Sequence, residues 1–404
     1  MHSRAFRYSL IFLLAMTEIM PVMLLGQTLP IILRRSGASM DEVGLFYLVM
    51  APWALKFLWA PLIDRFGDSK RGRYRSWLLI VHPLLIAFVI GLSLVDFPAL
   101  LFADRTLAMA LLAVLTVICA TADTAADGLA IGLLRPEERG TGNGFQMAGT
   151  MMGNFVGGGL LLILFGLIGW QKSCGVLALL LVVPFLGVVY YHEPPREAST
   201  PLTFQEVVEP FRRPQLRRWL LLVVCIEASY ATAYTPMQAI LSDHGYSLEE
   251  VGIVMGVIGS LAGVLGAAVG AVSIERFGRR PTLFGFAALT GFGIATLSLA
   301  ASPSAPRWLI YSTISLSIFS LMAMGTVTYT MMMDRARGRS ASSDYTIQYC
   351  ALQLSSFSAM ALGGYLTEAL GMTTVFVMVP GVMLLVFGAA AKILSPKEFS
   401  VDPL

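Results

Sequence analysis

Hydrophobic residues follow one another along this chain in runs of about twenty, separated by short polar segments. A run of that length can cross a bilayer as a helix, and none of these runs alternates with the period of a strand. The pattern predicts twelve transmembrane helices, at residues 8–33, 42–62, 77–95, 106–134, 141–168, 174–192, 217–241, 250–274, 282–301, 307–333, 344–366 and 373–394.

Polar landmarks inside and between these runs occur twice, in the same order, at a spacing of about 210 residues. They are SMDEVG at 39–44 and SLEEVG at 247–252, DRFG at 64–67 and ERFG at 275–278, and the isolated acids Glu18 and Glu227. Duplicated halves of this kind are typical of transporters. We therefore predict two pseudo-symmetric six-helix bundles, residues 1–193 and 218–404.

The segment between the two predicted bundles, residues 194–217, belongs to the longest polar stretch of the chain. Pro194-Pro195 and Pro201 break helix there, and residues 204–211 are compatible with a short surface helix. This segment is predicted to be a cytoplasmic linker.

Composition supports an all-α integral membrane protein. Hydrophobic residues make up 56%, charged residues 13%, and the mean hydropathy is +0.73; soluble domains carry about 25% charge. Most of the 28 lysines and arginines fall in the loops that share one side with the N-terminus, which predicts that both termini are cytoplasmic. Glu18, Pro21 and the absence of a small-residue cleavage site indicate that the first run is not a cleaved leader.

Several other classes of function lack their sequence signals. The four cysteines and four histidines have neither metal-site nor disulfide spacing, and no Gly-rich phosphate loop or nucleophile elbow is present. The net charge of +3 gives no support for nucleic-acid binding. We expect no cofactor, no resident metal and no enzymatic activity.

Three segments resemble AmpG-like permeases of the major facilitator superfamily: LKFLWAPLIDRFG at 55–67 with the following RGR and Trp77, ATADTAADG at 120–128, and PEERG at 136–140. DGLA at 127–130 and GNG at 142–144 are more similar to the RhtX/FptX group, which carries iron-siderophores. The resemblance implies a monomeric permease of the bacterial inner membrane that imports a small molecule by alternating access with protons. An iron-siderophore is the leading substrate by this resemblance, and a muropeptide is the alternative.

Charged residues inside the predicted helices need a partner or water, because a charge at the bilayer centre costs about 2.5–3.5 kcal/mol. Lys56 lies eight residues before Asp64, and Asp127 lies eight before Arg135, so both are about 12 Å from a helix end. Asp123 is one turn deeper than Asp127 on the same face. We predict an ion pair of Lys56 with one or both aspartates, which either serves transport or only makes burial tolerable.

Two other classes of function compete with a transporter. An intramembrane aspartyl enzyme would use Asp123 and Asp127, but such catalysis needs carboxylates that face each other across helices. A purely structural membrane protein would not need buried charges.

Glu18 and Glu227 each lie about ten residues into the first helix of their half. On the seventh predicted helix, Tyr230, Tyr234 and Gln238 continue the face of Glu227. We expect this stripe to contact substrate or protons. Because Glu227 has no basic neighbour on its own helix before Arg218, it is the preferred proton site, with Glu18 as its symmetry mate.

The fifth predicted helix carries a polar stripe and a glycine seam. The stripe consists of Asn143, Gln146, Thr150 and Asn154, and the seam of Gly149, Gly153 and Gly157. The stripe is expected to face a central cavity or to form hydrogen bonds between helices. The seam, with a second one on the eighth helix, is expected either to form the surface on which the halves rock or to provide tight packing.

The duplicated DRFG segment resembles the cytoplasmic gate loop of the superfamily. Its residues are Asp64, Arg65 and Gly67, and in the second copy Glu275, Arg276 and Gly278. We expect Asp64 to bind a helix N-terminus or Arg139 and so to lock the outward-open state. The alternative is a charge that only sets topology, which acids do poorly.

Overall fold

The computed structural model describes residues 3–35, 47–68, 71–194, 209–337 and 340–393, and these are overwhelmingly helical. The helices are α1 (Arg4–Arg35), α2 (Ala51–Leu55), α3 (Ala60–Phe66), α4 (Arg73–Ser93), α5 (Phe97–Ala103), α6 (Arg105–Leu133), α7 (Arg139–Asn154), α8 (Leu161–Tyr190), α9 (Pro214–Asp243), α10 (Leu248–Gly252), α11 (Gly259–Phe277), α12 (Arg279–Ala300), α13 (Arg307–Asp334), α14 (Ala341–Leu370) and α15 (Met372–Ile393).

Every predicted transmembrane run overlaps one of these helices or a chain of short ones, so the all-α membrane fold is confirmed. Within the described residues, nine helices are long and apolar enough to cross a bilayer. The first copy of the repeated SMDEVG segment lies outside the described residues. Most of the short surface helix predicted at 204–211 also lies outside them; at its end, residues 209–212 form a single 3₁₀ turn.

The second predicted helix is not continuous. It consists of α2 and α3 joined by a 3₁₀ turn at Lys56–Leu58, and each short helix has a proline in its first turn, Pro52 and Pro61. Proline has no N–H to donate and clashes with the preceding turn, so it starts a helix more easily than it continues one. The break places Lys56 on an irregular turn in the middle of the predicted span.

Two other boundaries differ from the prediction. The fifth and sixth predicted spans meet inside α8, which turns at Gly169 (φ 79°), a left-handed conformation that favours glycine. The short helix α5 was not predicted; the side chain of Asp96 caps its N-terminus by accepting a hydrogen bond from the Ala99 amide at 3.1 Å.

The described chain divides into two compact units that do not follow the predicted halves at every point. Unit 1 contains residues 1–134 and 149–203 together with 337–346, and unit 2 contains 204–336 and 347–404 together with 135–148. Each unit thus includes a short segment from the other half of the sequence, at the start of α14 and at the start of α7 respectively.

The glycine seam of the fifth predicted helix packs against α1 inside unit 1. A methyl group added at Gly149, Gly153 or Gly157 would lie 2.3, 2.5 and 2.5 Å from the carbonyl oxygens of Phe12, Met16 and Met20. In unit 2, Gly266 and Gly270 of α11 meet α13 in the same way, at Phe319 and Ala323. The idea that the seams face each other as a rocking surface is therefore wrong; they let backbones approach within each unit.

Candidate functional site

A buried charge cluster lies in unit 1 where the 3₁₀ turn after α2 meets α6. The Lys56 side chain is fully buried, and its Nζ donates a hydrogen bond to Asp123 Oδ2 and lies 3.9 Å from Asp127 Oδ2. The predicted ion pair of Lys56 with the two aspartates is confirmed. The indole ring of Trp53 lies 5.4 Å from the Lys56 ammonium, near enough for a cation–π contact.

Glu18 of α1 joins this cluster. Its carboxyl group lies beside that of Asp123 and within electrostatic range of Asp127 and Lys56. The Glu18 side chain is 3% exposed, and its Oε1 has no hydrogen-bond partner among the described residues. We call Glu18, Lys56, Asp123 and Asp127 the charge cluster; it brings three carboxyl groups around one ammonium.

Sequence reasoning singled out Glu18 as an isolated acid inside an apolar helix but did not connect it to Lys56. The helices α1 and α6 pack against each other, and this contact brings Glu18 beside Asp123. Both helices are apolar around most of their circumference, so periodicity does not reveal which face meets which. A lone acid at the same depth as two others was the signal that the sequence offered.

Glu227 in unit 2 has a different environment. Its carboxyl group forms a hydrogen bond with Ser356 of α14 and lies close to the Tyr230 hydroxyl. The rings of Tyr230 and Tyr234 are 6.1 Å apart, and Tyr234 forms a hydrogen bond with Gln238. The predicted stripe along α9 is thus continuous, and the groups around Glu227 are hydroxyls.

The polar stripe of α7 is divided between two environments. Asn143 is fully buried in unit 2, where its Nδ2 donates to the Arg139 carbonyl at 3.0 Å and to the Met333 sulfur at 3.1 Å. For Asn143 the structure therefore favours contact between helices. Gln146, Thr150 and Asn154 are half-buried, and their contact with a substrate stays a prediction.

Asp64, at the C-terminal end of α3, binds the first turn of α14 inside unit 1. One oxygen, Oδ2, accepts hydrogen bonds from the Ser343 amide at 2.8 Å and the Ser343 hydroxyl at 2.5 Å. The other, Oδ1, accepts from the Tyr74 hydroxyl at 2.6 Å. Amides in the first turn of a helix lack partners within the helix and carry a partial positive charge, so an ionised acid stabilises them. Of the two predicted partners, Asp64 binds the helix N-terminus.

Arg139 binds a different acid from the one predicted. Its Nη1 lies 3.0 Å from Asp334 Oδ1, and Arg279 Nε lies 2.5 Å from Asp334 Oδ2, all within unit 2. The Asp334 side chain is 2% exposed. Sequence reasoning missed Asp334, although an isolated acid at the end of the tenth apolar run was a signal for it.

The second copy of the gate segment is more exposed than the first. Glu275 is exposed and accepts a hydrogen bond from the Thr141 hydroxyl. Arg65 and Arg276 are also exposed. Gly67 lies where an added methyl group would be 2.3 Å from Arg73 Cγ, and Gly278 ends α11 at φ 79°.

The Major Facilitator Superfamily model matches residues 11–359, most of the chain. This protein belongs to the Major Facilitator Superfamily. It is consequently a multi-pass membrane transporter for a small molecule and not an enzyme. Asp123 and Asp127, the two acids considered for aspartyl catalysis, are neighbours on one helix and both lie close to Lys56.

Relatives and solved structures refine the comparison. The anhydromuropeptide permease of Escherichia coli strain K12 is 28% identical over 94% of this chain and 79% of its own length. A putative transporter AmpG 4 of Rickettsia conorii strain Malish 7 is 24% identical over 93% and 95%. Among solved structures, a bacterial homologue of the iron transporter ferroportin has a TM-score of 0.72 at 16% identity, covering 96% and 98%. The superfamily transporter FucP has a TM-score of 0.73 at 13% identity, covering 96% and 98%. At these identities the structures establish the fold alone.

Proposed function

We propose that this protein imports an anhydromuropeptide, a sugar–peptide compound, across the bacterial inner membrane into the cytoplasm by alternating access. The observation that carries the substrate class is the similarity to the anhydromuropeptide permease along 94% of the chain. The resemblance to siderophore permeases rests on two short segments, so an iron-siderophore becomes the alternative substrate. The distribution of basic residues supports cytoplasmic termini in this proposal.

The stripe on α9 suits a sugar–peptide substrate. Tyr230 and Tyr234 offer aromatic rings and hydroxyls, and the exposed Gln238 offers an amide that can donate and accept. Aromatic faces and amides are the groups with which proteins bind rings that carry hydroxyls and acetamido groups. Gln146, Thr150 and Asn154 of α7 would add further polar contacts.

Asp64 is the proposed cytoplasmic gate acid. Its carboxylate satisfies the first turn of α14 and is 2% exposed, so breaking this contact would leave a buried charge and an unpaired helix amide. A contact of that strength is suited to hold one end state of the transport cycle until substrate binding shifts the balance.

The coupled proton is assigned to the charge cluster. Glu18 is buried beside the carboxyl group of Asp123, where like charges repel, and it is therefore suited to take up and release a proton. Lys56 can balance only one negative charge fully, so release of that proton changes the charge of the cluster while the lysine keeps the change tolerable. Glu18 is accordingly the proposed exchange residue, with Asp123, Asp127 and Lys56 as its charged neighbours.

Glu227, which the sequence favoured as the proton site, lacks that compensation. Its neighbours are the hydroxyls of Ser356 and Tyr230, and among the described residues no cation acts on it. A buried carboxyl group without a compensating charge loses its proton less readily than one beside a lysine. Glu227 is therefore proposed to bind substrate as a neutral acid that donates a hydrogen bond.

Uptake of radiolabelled anhydromuropeptide tests the proposal. Cells that carry the chain should accumulate the label, and cells that lack it should not; a parallel assay uses labelled ferric siderophore. Accumulation should stop when the proton gradient is collapsed. Uptake of the siderophore without the anhydromuropeptide would replace the proposed substrate by its alternative, and uptake of neither would overturn both.

A further inference from the structure

We propose that Tyr74 is a positioning residue for Asp64 and that Glu193, the residue immediately before the predicted linker, holds Tyr74 in place, so that the linker is connected to the gate. The inference rests on the proposed role of Asp64 as the gate acid. The connection runs through one turn of helix, the first turn of α4, inside unit 1.

Tyr74 determines which Asp64 oxygen faces α14. Its hydroxyl donates to Asp64 Oδ1 at 2.6 Å, which leaves Oδ2 for the Ser343 amide and hydroxyl. The side chain of Tyr74 is 1% exposed, so the hydrogen bond is shielded from water. Hydrogen bonds to a charged group are stronger than those between neutral groups and fix its orientation.

The ring of Tyr74 lies in a space that only glycine provides. A methyl group added at Gly128 of α6 would be 2.4 Å from Tyr74 Cε1. Gly128 follows Asp127 of the charge cluster directly in sequence. The ring is therefore confined on the α6 side and has one position from which its hydroxyl reaches Asp64.

Glu193 fixes the backbone of Tyr74. Its Oε2 accepts hydrogen bonds from the Tyr74 amide at 3.0 Å and the Arg75 amide at 2.9 Å. The residue before α4, Gly72, provides no side-chain cap and adopts φ 92°, and an added methyl group there would lie 2.3 Å from Glu193 Cβ. An acid from 119 residues away thus caps α4 in place of a local residue.

Arg75 also links the start of α4 to the end of α8, in this case through hydrogen bonds from its side chain. Its Nε donates to the Val188 carbonyl at 3.1 Å and its Nη2 to the Val189 carbonyl at 2.8 Å, near the C-terminal end of α8. The start of α4 and the end of α8 are therefore held together by both side chains. A pull on the linker after Glu193 would act on the turn that carries Tyr74.

Hydrogen–deuterium exchange of the full-length protein in detergent tests this connection, because the Ser343 amide in the first turn of α14 is the proton that Asp64 protects. Asp64→Asn should raise exchange in that turn. Tyr74→Phe, which removes only the hydroxyl, should raise it by about three- to tenfold. Tyr365→Phe, at an exposed tyrosine of the same helix, is the matched control and should leave it unchanged.

Double variants separate positioning from general loosening. In the Asp64→Asn background, Tyr74→Phe should add nothing, because its effect passes through Asp64. Glu193→Ala should raise exchange in the first turns of both α4 and α14, whereas Glu193→Gln, which keeps an acceptor, should restore part of the protection. Combined with Tyr74→Phe, Glu193→Ala should still loosen α4 but add nothing at α14.

The outcomes distinguish this inference from the proposed function. If Asp64→Asn leaves both exchange and transport unchanged, the gate role of Asp64 is wrong. If Asp64→Asn raises exchange but Tyr74→Phe does not, or if their effects multiply in the double variant, the positioning role alone is overturned. Should Tyr74→Phe fail to fold, Gly128→Ala, which displaces the ring, serves as the second variant. Exchange in the first turn of α14 is then measured for it alone and in the Asp64→Asn background.

Discussion

The acidic residues that are repeated in the two halves of the sequence have different surroundings in the two copies. In the first copy, Glu18 joins a lysine and two aspartates, and Asp64 is buried with three hydrogen bonds. In the second copy, Glu227 has hydroxyl neighbours and Glu275 is exposed beside Thr141. Equal positions in a repeat therefore do not imply equal roles.

The difference has a physical direction. The first copy keeps charged groups where water is excluded, and there each must be compensated by a partner. The second copy places Glu227 among hydroxyls and Glu275 at the surface, whereas Asp334, a buried acid of unit 2 outside the repeated segments, lies between Arg139 and Arg279. Energy coupling and gating are consequently proposed for the first copy, and substrate contact for the second.

The largest expected effect is that of Glu18→Gln, compared with Glu227→Gln. In proteoliposomes with an acidic exterior, Glu18→Gln should abolish accumulation of labelled anhydromuropeptide, because glutamine cannot exchange a proton. Exchange of labelled for unlabelled substrate without a gradient should continue. Glu227→Gln should lower apparent affinity and still respond to the gradient.

The opposite pattern would restore the assignment that the sequence favoured. Undiminished accumulation by Glu18→Gln, with loss in Glu227→Gln, would place the proton in the second copy. If Glu18→Gln loses exchange as well, Glu18→Asp decides: a shifted pH profile of uptake supports the cluster, and an unshifted profile contradicts it. A sodium gradient that replaces the proton gradient in the wild type would change the coupled ion.

The next effect concerns the gate acid. Asp64→Asn should lower the maximal transport rate by about tenfold, since it weakens hydrogen bonds to a charged acceptor that are each worth about 1.5–3 kcal/mol. Substrate affinity should change by less than about twofold, because Asp64 is not one of the proposed substrate-contact residues. Rates and binding are measured on purified protein, with the exposed Asp68→Asn as the control. A loss of binding at an unchanged maximal rate would contradict the gate role.

Much of this comparison was accessible from sequence. The apolar runs predicted the transmembrane helices, and equal depth with opposite charge predicted the contact of Lys56 with Asp123 and Asp127. Both predictions depend only on position along a helix, and an α-helix rises 1.5 Å per residue.

What the sequence did not predict depends on how helices rotate and which segments meet. Asp334 reaches Arg139, 195 residues away, and Ser343 reaches Asp64, 279 residues away. Tyr74 and Glu193 carry no sequence signal of their own, and their connection becomes visible only when α4 and the end of α8 are placed side by side. Glycine seams are ambiguous for the same reason, because a face of small residues does not show which helix packs against it.

The smallest expected effect is that of Glu275→Gln, the counterpart of Asp64→Asn in the second copy. Glu275 is exposed, so water replaces any hydrogen bond that it loses, and a contact of this kind is worth about 0.5–1.5 kcal/mol at most. Its partner is the Thr141 hydroxyl, to which glutamine can still bond through its side-chain oxygen. Uptake should therefore stay within about twofold of the wild type. If Glu275→Gln slows uptake about tenfold, as Asp64→Asn is expected to do, the two gate segments act alike and the contrast drawn between the copies fails at this position.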